Sequence, residues 1–153
     1  MAPHTRVRMR ASRLVVSLGL ISTMMLGLFG GPVAQAQSTD SILTHVTPGL
    51  GPILTDSAGR TLYMFTKDAP GLSTCYDQCA SAWPPLTSAS EPVLPDGLPG
   101  VLGSTPRTDG SLQVTYNGMP LYYWVKDQQP GDTTGQNVGG VWFVINPSHP
   151  PNS

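Results

Sequence analysis

The chain has 153 residues, with 8 Lys+Arg against 9 Asp+Glu, 17 Gly, 16 Pro and 2 Cys, and a formal net charge of −1. Four arginines (Arg6, Arg8, Arg10, Arg13) precede every acid, so from Gln37 onward four bases face nine acids and the net charge is −5. That charge makes a poor nucleic-acid binder, since phosphate affinity needs clustered Lys and Arg. The length excludes a multidomain machine, and ordered aromatic and β-branched runs argue against a collagen-like or disordered chain.

The N-terminal segment reads as an export signal. The arginines are followed by Leu14 to Phe29, apolar or small at almost every position, and then by Ala34-Gln35-Ala36. A positive n-region, an apolar h-region and an A-x-A site predict cleavage before Gln37. The apolar run is 16 residues, short of the roughly 20 that span a bilayer. No adjacent Arg pair marks a twin-arginine route, and no Cys stands at the cleavage site to take a lipid. The expected product is an exported domain, secreted or periplasmic, with no transmembrane span and no lipid anchor at that site. Residues 37–49 read as a linker, 50–146 as the domain and 147–153 as a mobile tail.

Within the domain, turn signals mark short strands. Asp56-Ser57-Ala58-Gly59 separates Pro52–Thr55 from Arg60–Thr66. Glu91 to Gly100, rich in Pro and Gly, is a loop. Asp109-Gly110 and Asn117-Gly118 divide 101–126 into a three-stranded meander, because such pairs favour tight hairpins. Val141–Ile145 is a last strand after Gly139-Gly140.

The chain also repeats itself. At an offset of 59, Gly59, Leu62, Tyr63, Lys67, Asp68, Thr74 and Trp83 match Gly118, Leu121, Tyr122, Lys126, Asp127, Thr133 and Trp142, and Phe65 faces Trp124. The copies span about 50–86 and 110–145. Two copies predict a pseudo-symmetric single domain and not a solenoid, which needs at least three. The expected fold is mainly β, a small antiparallel sandwich or barrel of two related halves, with a helical turn near Cys75–Trp83.

The stretches Gly59 to Asp68, Cys75-Tyr76-Asp77-Gln78-Cys79 and Ala82-Trp83-Pro84-Pro85-Leu86 resemble the bacterial secreted-repeat family. Its hallmark is a Tyr-x-aromatic-x-x-Asp motif, and many of its members are predicted lipoproteins. Tyr122-Tyr123-Trp124-Val125-Lys126-Asp127 is the second copy of that motif. The resemblance covers roughly 50–146 and implies an exported envelope domain of unknown activity.

The motif residues fit three readings. Strand alternation puts Tyr63 with Phe65, and Tyr122 with Trp124, on one face. Asp68 and Asp127 then follow the strand ends, where a carboxylate can fix a loop by accepting local backbone N–H groups. Alternatively the two carboxylates are acid and base of a glycan hydrolase, or the aromatic faces bind a sugar or peptide. Trp83 and Trp142, equivalent in the two copies, are expected to pack one under each half.

Cys75 and Cys79 in an exported segment predict a disulfide, with Cα atoms about 6 Å apart if the segment is helical. The rival reading is a copper site or a redox dithiol, since soft ligands suit copper. Covalent haem is excluded, because its signature is C-x-x-C-H and here three residues intervene and Ala80 follows. Met64, Met119 and His45 are the weak candidates for a metal or a non-covalent haem. No cofactor is expected on the leading reading, and haem or copper belongs to the alternative.

Three functions follow in order: a non-enzymatic envelope binding or accessory domain meeting an unknown envelope ligand or protein; a redox accessory protein handling haem or copper or docking an electron-transfer partner; and a carboxylate-based hydrolase of envelope glycans. The mature chain carries no G-x-S-x-G, no phosphate-binding Gly loop and no H-E-x-x-H, which disfavours the common hydrolase chemistries.

Overall fold

The computed structural model describes residues 41–90 and 92–149. The export signal expected over 1–36 lies outside them, as do residues 37–40, Glu91 and the last four residues of the tail. Among the described residues seven short strands form: β1 Leu43–Thr47, β2 Gly51–Thr55, β3 Tyr63–Phe65, β4 Leu102–Pro106, β5 Leu112–Tyr116, β6 Met119–Pro120 and β7 Trp142–Val144. A five-residue helix, α1 Gln78–Ala82, and a 3₁₀ turn at Val138–Gly140 complete the set. No helix among the described residues is long and apolar enough to cross a membrane.

The fold is mainly β, built from two repeated halves. The strands make three small antiparallel sheets: β1–β2, β3–β7 and β4–β5–β6. Pro52, Pro106 and Pro120 lie within β2, β4 and β6, where a proline gives no hydrogen to the ladder. The third sheet is the expected meander. At Asn117-Gly118 both residues have positive φ, 49° and 82°, as a type I′ turn requires. The Asp109-Gly110 turn differs. Only Gly110 has positive φ, and Arg107 N–H bonds Ser111 O across a three-residue loop.

Each copy begins one strand earlier than expected. Residues 43–47, read as linker, form β1 and pair with β2 from Leu43 opposite Thr55 to Thr47 opposite Gly51. In the second half β4 pairs with β5 in the same way. β1 escaped detection because nearly all of it is exposed, so it carries no alternation for a core to impose. Its anchor is Ile42, which is fully buried. The expected long strands over 60–66 and 119–126 shrink to β3 and β6, and their remainders are held by single bridges such as Thr55–Thr61 and Pro85–Tyr122. Of the tail, Ser148 and His149 turn back on Asn146, whose side chain bonds Leu50 O.

A pseudo-twofold relation runs through the hydrogen bonds. Tyr63 and Tyr122 exchange both backbone bonds, each 2.9 Å. Around that pair the contacts repeat with the copies exchanged. Tyr63 pairs with Val144 as Tyr122 pairs with Pro85. Thr66 N–H reaches Val141 O as Val125 N–H reaches Ala82 O, and Ile145 N–H reaches Leu62 O as Leu86 N–H reaches Leu121 O. The final strand of each half therefore adds to the other half, so neither can complete its sheet alone.

Alternation divides the interior in two. Leu62 and Leu121 face one buried cluster, with Ile42, Leu54, Leu86, Val114, Tyr116 and Ile145. Their neighbours Tyr63 and Tyr122 face the other, with Cys75, Trp83 and Trp142. Met64 packs on the first cluster and Phe65 on the second, as period-two geometry dictates.

Candidate functional site

The repeated motif builds two crossed Tyr–Asp pairs. Tyr122, from the second copy, donates to Asp68 Oδ2 in the first at 2.7 Å. Tyr63, from the first, donates to Asp127 Oδ2 in the second, also at 2.7 Å. The other carboxylate oxygen closes a loop in its own copy. Asp68 Oδ1 accepts Thr74 N–H and Oγ1–H, each at 2.7 Å. Asp127 Oδ1 accepts Thr134 N–H at 3.0 Å and Oγ1–H at 2.6 Å. The loop-fixing role is the one expected from the sequence; the tyrosine partner from the opposite copy is not. The second loop also corrects the repeat alignment. Asp68 reaches Thr74 six residues on, but Asp127 reaches Thr134 seven on, so Thr134 and not Thr133 is the equivalent of Thr74.

Both phenols titrate above their ordinary range. Burial is the largest cause for each, reinforced by the neighbouring carboxylate, Asp127 at Tyr63 and Asp68 at Tyr122. At Tyr122 the Ser73 hydroxyl offsets part of the rise. Tyr63 Oη also accepts Gly135 N–H at 3.2 Å. That approach needs glycine, because a Cβ on residue 135 would stand 2.8 Å from ring atoms of both Trp83 and Tyr63.

The tryptophans do not lie one under each half. Trp83 and Trp142 stack on each other at the centre, centroids 3.9 Å apart and planes 4° from parallel. Each outer face is capped by the opposite copy: Phe65 stacks on Trp142 at 4.2 Å, and Trp124 on Trp83 at 4.1 Å. Tyr63 meets Trp83 edge-on at 5.3 Å, and Tyr122 meets Trp142 edge-on at 5.2 Å. Edge-to-face and offset contacts of this kind add about 0.5–1.5 kcal/mol each beyond burial. Both tryptophans are only 4% exposed, so they offer no open platform to a ligand. The half-buried ends of the stack, Phe65 and Trp124, are the rings that reach the surface.

Beside Tyr122 lies a charged side chain that the sequence did not single out. Arg107 is 5% exposed. Its Nη1 donates to Ser73 Oγ and to Gln113 Oε1, each at 2.7 Å, and its Nη2 to Cys75 O at 2.8 Å. The guanidinium stands over the Tyr76 ring at 4.3 Å, and Nε faces the Asp109 carboxylate at 3.7 Å. Ser73 Oγ lies 2.7 Å from Tyr122 Oη. Since the Tyr122 hydrogen goes to Asp68, Ser73 must donate to Tyr122. One directional chain results: Arg107 to Ser73 to Tyr122 to Asp68. Gln113, fully buried, ties in through Leu121 O. The sequence signal that could have found Arg107 is its place directly before the Asp109-Gly110 turn, where it pairs with Ser111 across the hairpin.

Cys75 and Cys79 are bridged, with Cα atoms 5.2 Å apart, at the entry to α1. The weak metal candidates sit on different elements: Met64 on β3, Met119 on β6 and His45 on β1. Met64 packs on the first core cluster and Met119 is 5% exposed. His45 packs against Gly131, where a Cβ would stand 2.9 Å from Nε2. Among the described residues, no group of three or more His, Cys, Asp or Glu side chains is gathered as a metal site.

A groove of about 290 Å³ opens where the two copies meet, lined by Arg60 of the first and Tyr123, Trp124, Gln128, Gln129 and Pro130 of the second among others. Arg60 lies over the Tyr123 ring at 4.0 Å and donates to Tyr123 Oη at 3.0 Å. It is ion-paired to Asp56 at 2.7 Å. Asp56 in turn folds the preceding turn by accepting Ala58 and Arg60 N–H on Oδ1.

Crossed Tyr–Asp pairs, exchanged last strands and a shared ring stack define a pseudo-symmetric repeat domain whose motif residues bond each half to the other. A family model described as a secreted repeat of unknown function matches residues 44–87 and 103–146, more than half of the chain. The chain belongs to that family. Its two matches coincide with the two halves seen here, from β1 and from β4. The disulfide fits the oxidising environment that secretion implies. No curated protein and no solved structure matches it.

Proposed function

We propose that this chain is an exported, non-catalytic binding domain of the cell envelope. The observation that carries the reading is the engagement of both oxygens of each motif carboxylate, including Asp127, which borders the groove. Every oxygen of Asp68 and Asp127 accepts a hydrogen bond from the chain itself. A general acid or base has to reach the proton it transfers. Carboxylates tied to a tyrosine on one oxygen and a threonine loop on the other are instead placed to hold the halves together. What remains for function is surface, and the groove beside Trp124 is the concave, mixed aromatic and polar site that binding requires.

The experiment is a thermal-shift titration of the exported protein with soluble cell-envelope fragments, with the fragments recovered and analysed by mass spectrometry. A saturable rise in Tm with ligand recovered unchanged supports the binding reading. Conversion of a fragment to product, lost in Asp68→Asn or Asp127→Asn variants that remain folded, overturns it in favour of a hydrolase.

A further inference from the structure

We propose that the groove beside Trp124 is a carbohydrate site for a short neutral glycan; this rests on the binding-domain reading and names its ligand class. The two halves differ at this groove. Residues that hold the scaffold recur in both copies, Asp127 and Pro130 of this lining among them, but Arg60, Tyr123, Trp124, Gln128 and Gln129 do not. After the motif aspartate, the first copy reads Ala69-Pro70-Gly71 and the second reads Gln128-Gln129-Pro130-Gly131. The extra residue is absorbed locally. Gly71 N–H returns to Gly118 O at 2.8 Å, and Gly131 N–H returns to Gly59 O at 2.9 Å. Pro70 likewise packs against Gly118 as Pro130 packs against Gly59. The scaffold therefore closes in the same way on both sides, and the longer loop, whose Gln128 and Gln129 N–H groups bond Asp132 Oδ2 at 2.8 Å, also brings two glutamine side chains to the groove.

The neighbouring positions diverge in the same sense. Met64, Phe65 and Met119 of one face correspond to Tyr123, Trp124 and Arg60 of the other. Packing does not demand the change, since Met64 and Tyr123 lie against the same core cluster and Phe65 and Trp124 against the other. Aromatic surface has been combined with planar polar groups on one side alone. That combination matches a pyranose, whose C–H face seeks the negative face of an aromatic ring and whose hydroxyls each need a donor and an acceptor; with the inner face of Trp124 stacked on Trp83, the sugar takes the outer face in place of Lys126 Nζ, 5.4 Å from the centroid. Gln128 Nε2 is held by Val125 O at 3.1 Å, which leaves its carbonyl oxygen as an acceptor. Among the described residues the Gln129 amide and Arg60 Nη1 carry no hydrogen bond, so donors are present as well. The Arg60 charge is already met by Asp56 at 2.7 Å, which favours a neutral ligand over an anionic one.

The test is a titration of the exported protein with the neutral glycans chitotetraose, cellotetraose and maltotetraose, followed by tryptophan emission and calorimetry. The expected result is saturable binding of at least one of them. It should weaken about tenfold or more in a Gln128→Ala/Gln129→Ala variant whose Tm is unchanged. Phe65→Leu, on the opposite face, should bind as the parent does. Because Trp124→Ala also strips a ring from the stack, Trp124→Phe is the second groove variant, and it should lose the emission change while staying folded. Failure of all three glycans to saturate overturns the proposal, as does binding that the double glutamine variant leaves intact. Saturation by a proline-rich decapeptide, lost in that variant while the glycans stay silent, overturns the carbohydrate assignment and leaves the binding-domain reading standing.

Discussion

The Tyr122 hydroxyl lies 2.7 Å from Asp68 Oδ2, although 54 residues separate them and each belongs to a different copy of the same motif. The Tyr63–Asp127 pair is its mirror. A motif that reads as one local unit thus works as half of two long-range contacts. Double-mutant cycles should register this. Tyr122→Phe with Asp68→Asn, and Tyr63→Phe with Asp127→Asn, should each show coupling of about 1–2 kcal/mol by chemical denaturation. The within-motif pairing of Tyr63→Phe with Asp68→Asn should be close to additive. Coupling inside each copy and none between copies would contradict the crossed geometry.

The same phenols set an alkaline limit. Each has its pKa raised by burial and by its carboxylate, so the folded chain holds both protons more tightly than the unfolded chain. Stability from this source is complete below the ordinary tyrosine value near 10 and declines as pH rises above it. Tm measured across pH 8 to 11 should be flat and then fall. The fall should be shallower in Tyr63→Phe and in Tyr122→Phe.

Arg107 should be among the least replaceable charges. Its removal would leave Ser73 Oγ, Gln113 Oε1 and Cys75 O short of a donor in a buried setting. Arg107→Ala should cost about 3 kcal/mol or more, since orphaned buried polar groups bear their full desolvation penalty. Arg107→Lys should recover only part, because an ammonium lacks the planar fork that reaches three acceptors on two elements. Equilibrium unfolding of the two variants checks both figures; a lysine variant as stable as the parent would reduce Arg107 to a mere positive charge.

The Cys75–Cys79 bridge closes a very short loop. The loop-entropy account gives about 2 kcal/mol for such a closure. Cys75→Ser/Cys79→Ser should therefore still fold, with a modestly lower Tm. A free-thiol assay on the unfolded parent should find no reactive thiol. Loss of folding in the double variant would mean that the bridge shapes the Trp83 loop beyond its entropy.

Much of this architecture was legible in the chain. The offset of 59 exposed two halves because the residues that repeat are the ones the pseudo-twofold uses: the paired tyrosines, the loop-closing aspartates and the stacked tryptophans. Asn117-Gly118 marked its hairpin because few other dipeptides tolerate positive φ twice in succession. C-x₃-C marked its bridge because the spacing brings the two Cα atoms within reach. These are local properties, or comparisons of the chain with itself, and they need no third dimension.

Tertiary structure alone decided the partners. Nothing in the order of residues says that Tyr122 answers Asp68 and not Asp127, that Trp83 lies face to face with Trp142, or that Arg107 turns inward to Ser73 and Cys75 O. Each depends on two segments meeting after the last strand of one half is inserted beside the other. β1 also waited for the structure, because an exposed edge strand bears no hydrophobic period and is defined only by the hydrogen bonds of its neighbour. The groove became visible last. Its composition is written in Arg60, Tyr123, Trp124 and two glutamines, but only the closing of both copies on the same scaffold brings residues 60 and 123–130 onto one wall.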